Sequence, residues 1–219
     1  MKRALAVLAS VLLAACDPQV TDPPWQLDHD RIVAVRAEPP HIAPGEVAIL
    51  EALVAHAGGP TTIERAVQAS APNAPAGLFT AVHFFIDHWR VDGPDEAALD
   101  AARTELGLGA TAPVPLVVQI EVTGELIAQK TVWLGDRHTN PPAPAFALPA
   151  SLALGDHPLD HAVPPGWTVR WLASCGALAG DTTPRATLTL DEPCTGELVL
   201  VVRDPAGGVA WQILPLLAQ

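Results

Sequence analysis

The run "PLVVQIEVTGELIAQKTVWLG" constrains the fold more than any other stretch of this chain. Leu116, Val118, Ile120 and Val122 alternate with Val117, Gln119 and Glu121, and Thr123-Gly124 then turns the chain into a partner segment. Side chains on a strand point alternately to opposite faces, so the pattern predicts a β-hairpin with one buried side.

The same period returns near the C-terminus. In "GWTVRWLASCG", Trp167, Val169, Trp171, Ala173 and Cys175 share one parity, and Cys194 has the parity of Leu198, Leu200 and Val202. The segment "ELVLVVRDPAGGVAWQILPLL" predicts a hairpin closed at Asp204 to Gly208, with Val209, Trp211 and Ile213 on its inner face. Earlier in the chain, "RIVAVRA" and "VAILEALVA" read as strands around the turn-rich corner "EPPHIAPGE", and "AVHFFIDHWRV" reads as a further strand. One segment departs from the strand period. In "PDEAALDAARTEL", Ala97, Ala98, Ala101, Ala102 and Leu106 fall near helical spacing, with Gly107 as a stop.

The first sixteen residues, "MKRALAVLASVLLAAC", begin with Lys2 and Arg3, continue through the apolar stretch 4–13 and end on small residues before Cys16. That is the layout of a secretory signal, and the apolar stretch is too short for a bilayer span of about 20 residues. Leu13, Ala14, Ala15 and Cys16 resemble the lipobox of bacterial lipoproteins. The resemblance implies cleavage before Cys16, a diacylglyceryl group on its sulfur and acylation of its new amino terminus. Several acyl chains, at about 0.8 kcal/mol per buried methylene, anchor a protein firmly. Asp17 follows the cysteine; in enteric-type sorting this position favours inner-membrane retention, a rule that differs among bacteria and leaves inner versus outer membrane open.

The export segment holds two of the 12 basic residues and none of the 24 acidic ones, so the mature chain carries a net charge of −14. Such a charge argues against nucleic acid and against an electrostatic hold on anionic lipid. Residues 17–30, "DPQVTDPPWQLDHD", are acidic, proline-rich and without periodicity, which predicts a tether. The run "VRAEPPHIAPGEVAILEALV" resembles the first two strands of bacterial immunoglobulin-like domains, and the C-terminal hairpin resembles the last two strands of such a sandwich. The expected fold is therefore mostly β, with tandem immunoglobulin-like β-sandwiches and one short inserted helix. The expected division is a signal peptide at 1–15, a tether at 16–30, a first sandwich at 31–137, a Pro-rich linker at 138–145 and a second sandwich at 146–219. Pro141, Pro142, Pro144 and Pro149 mark the break between the two sandwiches.

With Cys16 assigned to lipid, Cys175 and Cys194 remain as a pair in an oxidising compartment, and their inward parity predicts a buried disulfide. Their separation of 19 residues is too short for the usual inter-sheet bridge of antibody-type domains. The sharpest metal candidate is "DHPLDH", where Asp156 and His157 recur as Asp160 and His161. A helix would place both histidines on one face, but Pro158 and the neighbouring prolines favour a solvated loop. His83 and His88, with Asp87, point to opposite faces of a strand.

Nucleophilic chemistry is poorly supplied. Ser70, Ser151 and Ser174 lie outside any G-x-S-x-G, and no H-E-x-x-H, P-loop or dinucleotide fingerprint occurs. Glu121 and Glu125 flank a hairpin turn rather than form a glycosidase pair. Of the six tryptophans, Trp167, Trp171 and Trp211 have inward parity, Trp25 falls in the tether, and Trp89 and Trp133 are open. The expected function is that of a non-enzymatic, lipid-anchored envelope protein without a cofactor, serving as a structural or protein-interaction module. Ligand binding or adhesion, including to glycans, is the alternative, and a metal-dependent enzyme at Asp156 to His161 the third.

Overall fold

A computed structural model describes residues 23–56, 59–63, 68–78, 81–84, 88–123 and 126–219. The export segment, Cys16, Asp17, Asp87, Gly124 and Glu125 lie outside the described residues.

Strands β1 (Arg31–Glu38), β3 (Val47–Ala55), β6 (Val82–Phe84) and β7 (Trp89–Asp92) form one antiparallel sheet in the order β1-β3-β7-β6, with β4 (Thr61–Ile63) also paired to β3. Strands β2 (His41–Ile42), β5 (Gln68–Ser70), β8 (Val114–Thr123) and β9 (Leu126–Leu134) form the facing sheet in the order β2-β9-β8-β5. The corner at Pro39 and Pro40, with a cis Glu38–Pro39 peptide, lets the chain leave the first sheet after β1 and join the second as β2, parallel to β9. Leu50, Ala52, Trp89 and Val91 from one sheet meet Leu116, Val118, Ile120 and Val132 from the other in a continuous core. The expected hairpin is β8–β9, paired from Val114↔Leu134 to Thr123↔Leu126.

The segment expected to be one strand over 81–91 is instead two, β6 and β7, which pair antiparallel with Val82 opposite Val91. The helix α1 (Glu96–Glu105) is capped by Asp95, whose side chain accepts the Ala98 amide at 2.8 Å. It ends at Leu106, after which Gly107 takes the left-handed conformation, φ 65°, and the Leu108 amide returns to the Arg103 carbonyl. Its inner face is Leu99, Ala102 and Arg103, with Ala98 packed against the core, and Leu106 is exposed. Arg103 is tolerated there because Glu96, Asp100 and the Ala112 carbonyl occupy its guanidinium, each at 2.8–2.9 Å.

Beyond the first sandwich, β10 (Gly155–Asp160), β12 (Ala177–Ala179) and β13 (Arg185–Leu190) form a sheet in the order β10-β13-β12. It faces a second sheet of β11 (Thr168–Ala173), β14 (Cys194–Arg203) and β15 (Val209–Ala218), ordered β11-β14-β15. Trp171, Leu188, Leu198, Leu200 and Val202 centre the core between them, and Phe146 meets the Trp171 ring edge-on at 5.1 Å. Among the described residues the fold is thus mostly β, with two sandwiches in tandem and one short α-helix.

A third apolar cluster joins the two sandwiches. Leu53 and Ala55 on the outer face of β3 and Ala34 on β1 pack with Leu172, Val199, Val201, Val209 and Trp211 on the outer face of the β11-β14-β15 sheet, and Leu27 inserts beside them. Both faces of that sheet are therefore buried, which explains why "LVLVV" is continuously apolar rather than alternating. Val209 and Trp211, expected on the inner face of the second sandwich, belong to this seam, and Ile213 packs against it; Ala210 and Leu216 supply the inner face instead. Fully burying a side chain of this kind contributes about 1.5–3 kcal/mol, so Leu53, Leu172, Val199 and Val201 together favour the joined arrangement by several kcal/mol.

The stretch expected to be a tether is, from Pro23 onward, part of the body. Gln26 bridges Ala173 in parallel fashion, Leu27 and Trp25 exchange backbone hydrogen bonds with Ala173, and Trp25 packs on the second core. The proline-rich segment after 138 is also packed, with Pro141 and Pro144 buried.

Candidate functional site

The seam gathers the polar side chains that the cores leave out, around the tight turn at 204–208 between β14 and β15. That turn uses Gly207 at φ 89°, where a Cβ would come within 3.4 Å of the Trp133 Nε1. Four residues of the first sandwich and the connecting segment hold the turn. His41 places Nε2 2.7 Å from the Ala206 carbonyl. A carbonyl only accepts, so Nε2 carries a proton; Nδ1 is buried, has no hydrogen-bond partner and lies 3.7 Å from an Asp136 carboxylate oxygen. Lys130, 8% exposed, donates from Nζ to the Gly207 carbonyl. His138 donates from Nε2 to the Asp204 carboxylate at 2.8 Å. Asn140 receives the Val209 amide on Oδ1 at 2.8 Å and donates from Nδ2 to the Ala37 carbonyl and to Glu38, each at 2.7 Å.

These placements shift the charged groups involved. Burial lowers the Lys130 ammonium to about 8, with repulsion from Arg203 in the same direction and Asp204 opposing it. Burial alone raises the Asp204 carboxyl, but the hydrogen bonds from His138 and from the Gly208 amide outweigh it and hold the group below the usual carboxylate value. Arg36 spans the other side of the seam, stacked 4.5 Å over the Trp211 ring and paired with Glu51 at 2.7 Å.

Beside His41 and His138 lies a cleft of about 660 Å³, lined also by Pro39, Glu46, Val47, Arg137 and Thr139. Its rim charge is internally matched, because Arg137 donates from Nε to Glu46 at 2.7 Å and keeps that carboxyl below its ordinary range.

The residues singled out from sequence fall elsewhere. Asp156, His157 and Asp160 lie on β10, an edge strand that tolerates Pro158, and not on the expected loop. His157 meets the Ala153 carbonyl, Asp156 accepts from Thr189, Asp160 pairs with Arg185, and the His161 amide bonds to the Pro184 carbonyl. On an extended chain a spacing of four residues separates side chains by about 13 Å, which defeats shared ligation. Among the described residues, no group of three or more His, Cys, Asp or Glu side chains is placed to hold a metal ion. His83 pairs with Asp92 at 3.3 Å.

Cys175 and Cys194 form the expected disulfide, but they are half-buried and tie the end of β11 to the start of β14, neighbours in one sheet. Trp89 and Trp171 are core residues, Trp211 is in the seam, and Trp25, Trp133 and Trp167 are half-buried. Sequence reasoning missed His41, His138 and Asn140; the signal present was their position at the edges of the two proline-rich corners.

No family model matches this chain, and no curated protein matches it. Among solved structures, a chimeric titin Z1Z2-Z1Z2 tandem is similar over 87% of this chain and 99% of its own, at 14% identity and a TM-score of 0.31. The N-terminal Ig1-2 module of the Drosophila receptor protein tyrosine phosphatase DLAR covers the same shares at 11% identity and a TM-score of 0.32. A Bacteroides ovatus mixed-linkage glucan utilization protein, SGBP-B, in complex with a heptasaccharide is matched over 88% of this chain and 45% of its own, at 10% identity and a TM-score of 0.21. At these TM-scores the likeness carries no weight of its own, and the tandem sandwich architecture stands on the sheets and cores described above.

Proposed function

We propose that this chain is a cell-envelope lipoprotein, anchored through lipid on Cys16, whose body is a non-catalytic structural or protein-interaction module. It works at a membrane surface of a Gram-negative-type bacterium, facing the periplasm or the exterior. The observation that carries the reading is the way polar side chains at the seam are used. His41, Lys130 and His138 direct their donors at the 204–208 turn, and Asn140 accepts from the Val209 amide while donating to the Ala37 carbonyl, which joins two sandwiches rather than exposing a reactive constellation. The lipobox resemblance supports the anchor, and the net charge supports a partner other than nucleic acid.

The test is in-cell cross-linking of the tagged protein followed by mass spectrometry of what it captures in the envelope. A reproducible protein partner whose capture is lost on changing exposed strand residues supports the module. Reproducible hydrolase activity of monodisperse protein, abolished by a single substitution, overturns it. Ligand binding is the second reading, favoured by the cleft at His41 and His138. Glycan arrays test it, and retention of a glycan by wild type but not by an Arg137→Ala variant is the supporting result.

A further inference from the structure

The segment 23–27 leaves the body at a defined place. The Pro23 carbonyl closes a turn onto the Gln26 amide, and the Pro24 carbonyl accepts from two guanidinium groups, Arg31 at 2.7 Å and Arg170 at 2.8 Å. Leu27, 1% exposed, fixes the far end of the segment in the seam. Seven residue steps separate Cys16 from Pro23, and a chain spans at most about 3.6 Å per residue, so lipid on Cys16 holds the membrane within about 25 Å of this point.

The cleft lies at the opposite end of β1. Arg31 opens that strand beside Pro24, whereas Pro39 and His41 follow its last residue, Glu38, and line the cleft. At about 3.3 Å per residue the two ends of β1 stand about 23 Å apart. To bring the cleft to the lipid, the connection would have to run fully extended along the whole strand, using about 23 of its 25 Å.

We infer that the surface around Pro24, Arg31 and Arg170 is the membrane-facing surface of this protein, and that the cleft at His41 is presented away from the bilayer. The inference rests on the lipid-anchor reading above. Its occupant is a lipid surface, fixed by the length of the connection and the place where it meets the body.

The test uses the lipidated full chain in vesicles of phosphatidylethanolamine and phosphatidylglycerol with acceptor-labelled headgroups. A donor dye is attached at Asp30→Cys, an exposed position next to Arg31, or at Thr139→Cys, exposed on the cleft rim. Energy transfer higher at position 30 than at 139, with the difference lost when a long flexible insertion follows Val20, is the expected result. Mass spectrometry of the peptide that carries Cys16 reads the anchor separately. Lipid present with equal or reversed transfer overturns the orientation and leaves the anchor standing; absence of lipid on Cys16 overturns both.

Discussion

Replacing Asn140 by alanine tests the seam at one side chain. Asn140 satisfies the Val209 amide and the Ala37 carbonyl, both on buried residues, and also reaches the exposed end of Glu38. Removing it leaves one buried donor and one buried acceptor without partners, at about 1–3 kcal/mol each, while the Glu38 contact contributes little because water replaces it. Asn140 is only half-buried, so water reaches part of the gap and pulls the sum toward its lower half, about 2–4 kcal/mol. Urea denaturation followed by tryptophan fluorescence measures the change, with Thr139→Ala as an exposed neighbour expected to stay within about 0.5 kcal/mol. Asn140→Asp keeps the Val209 acceptor but sets a carboxylate against the Ala37 carbonyl and Glu38, so it too is expected to lose stability. An Asn140→Ala variant indistinguishable from Thr139→Ala would refute the assignment of Asn140 as a clamp between the sandwiches.

Other perturbations have equally definite outcomes. Reducing the Cys175–Cys194 bond frees a loop of about 20 residues and is expected to cost on the order of 3 kcal/mol, seen as a lower melting temperature; free thiols at both positions in exported protein would contradict it. Asp204 titrates below its unfolded value, so its stabilisation is present above the ordinary carboxylate pKa of 3.8 and disappears as pH falls through the lower folded value. Acid melts of Asp204→Asn should show a flatter decline than wild type. Lys130 has the opposite consequence. With a folded pKa of about 8 against 10.5 unfolded, the unfolded chain binds more protons between those values, so stability rises with pH across that window; Lys130→Met should remove the rise in alkaline melts.

The hairpins were legible because half-buried strands leave a period of two in the sequence. Leu116, Val118 and Ile120 are fully buried as their alternation requires, and Asp204 to Gly208 closes β14 onto β15. The seam was not legible by the same route. Parity shows that Val209 and Trp211 share a face, but it does not say whether that face meets the second core or another sandwich. The continuous apolar run at 198–202 carried the clue, since a strand with one wet face does not place Val199 and Val201 between Leu198, Leu200 and Val202. The alanine row of α1 located the helix but only part of its buried face. Ala102 and Ala98 meet the core, Leu99 and a neutralised Arg103 complete that face, and Leu106 turns to solvent. His41 and Asn140 are distant in sequence from Ala206 and Val209, so nothing local announces their pairing.

The double-sided burial of the β11-β14-β15 sheet bears on how such a chain can change over generations. A sandwich with a polar exterior is a portable module that can be duplicated, traded between genes or appended to another protein without penalty. Here the second half, moved alone, would display an oily wall of leucine, valine and tryptophan to solvent and invite aggregation, and the first would bare Ala34, Leu53 and Ala55. The pair, and not the single sandwich, is therefore the smallest piece that recombination can carry intact.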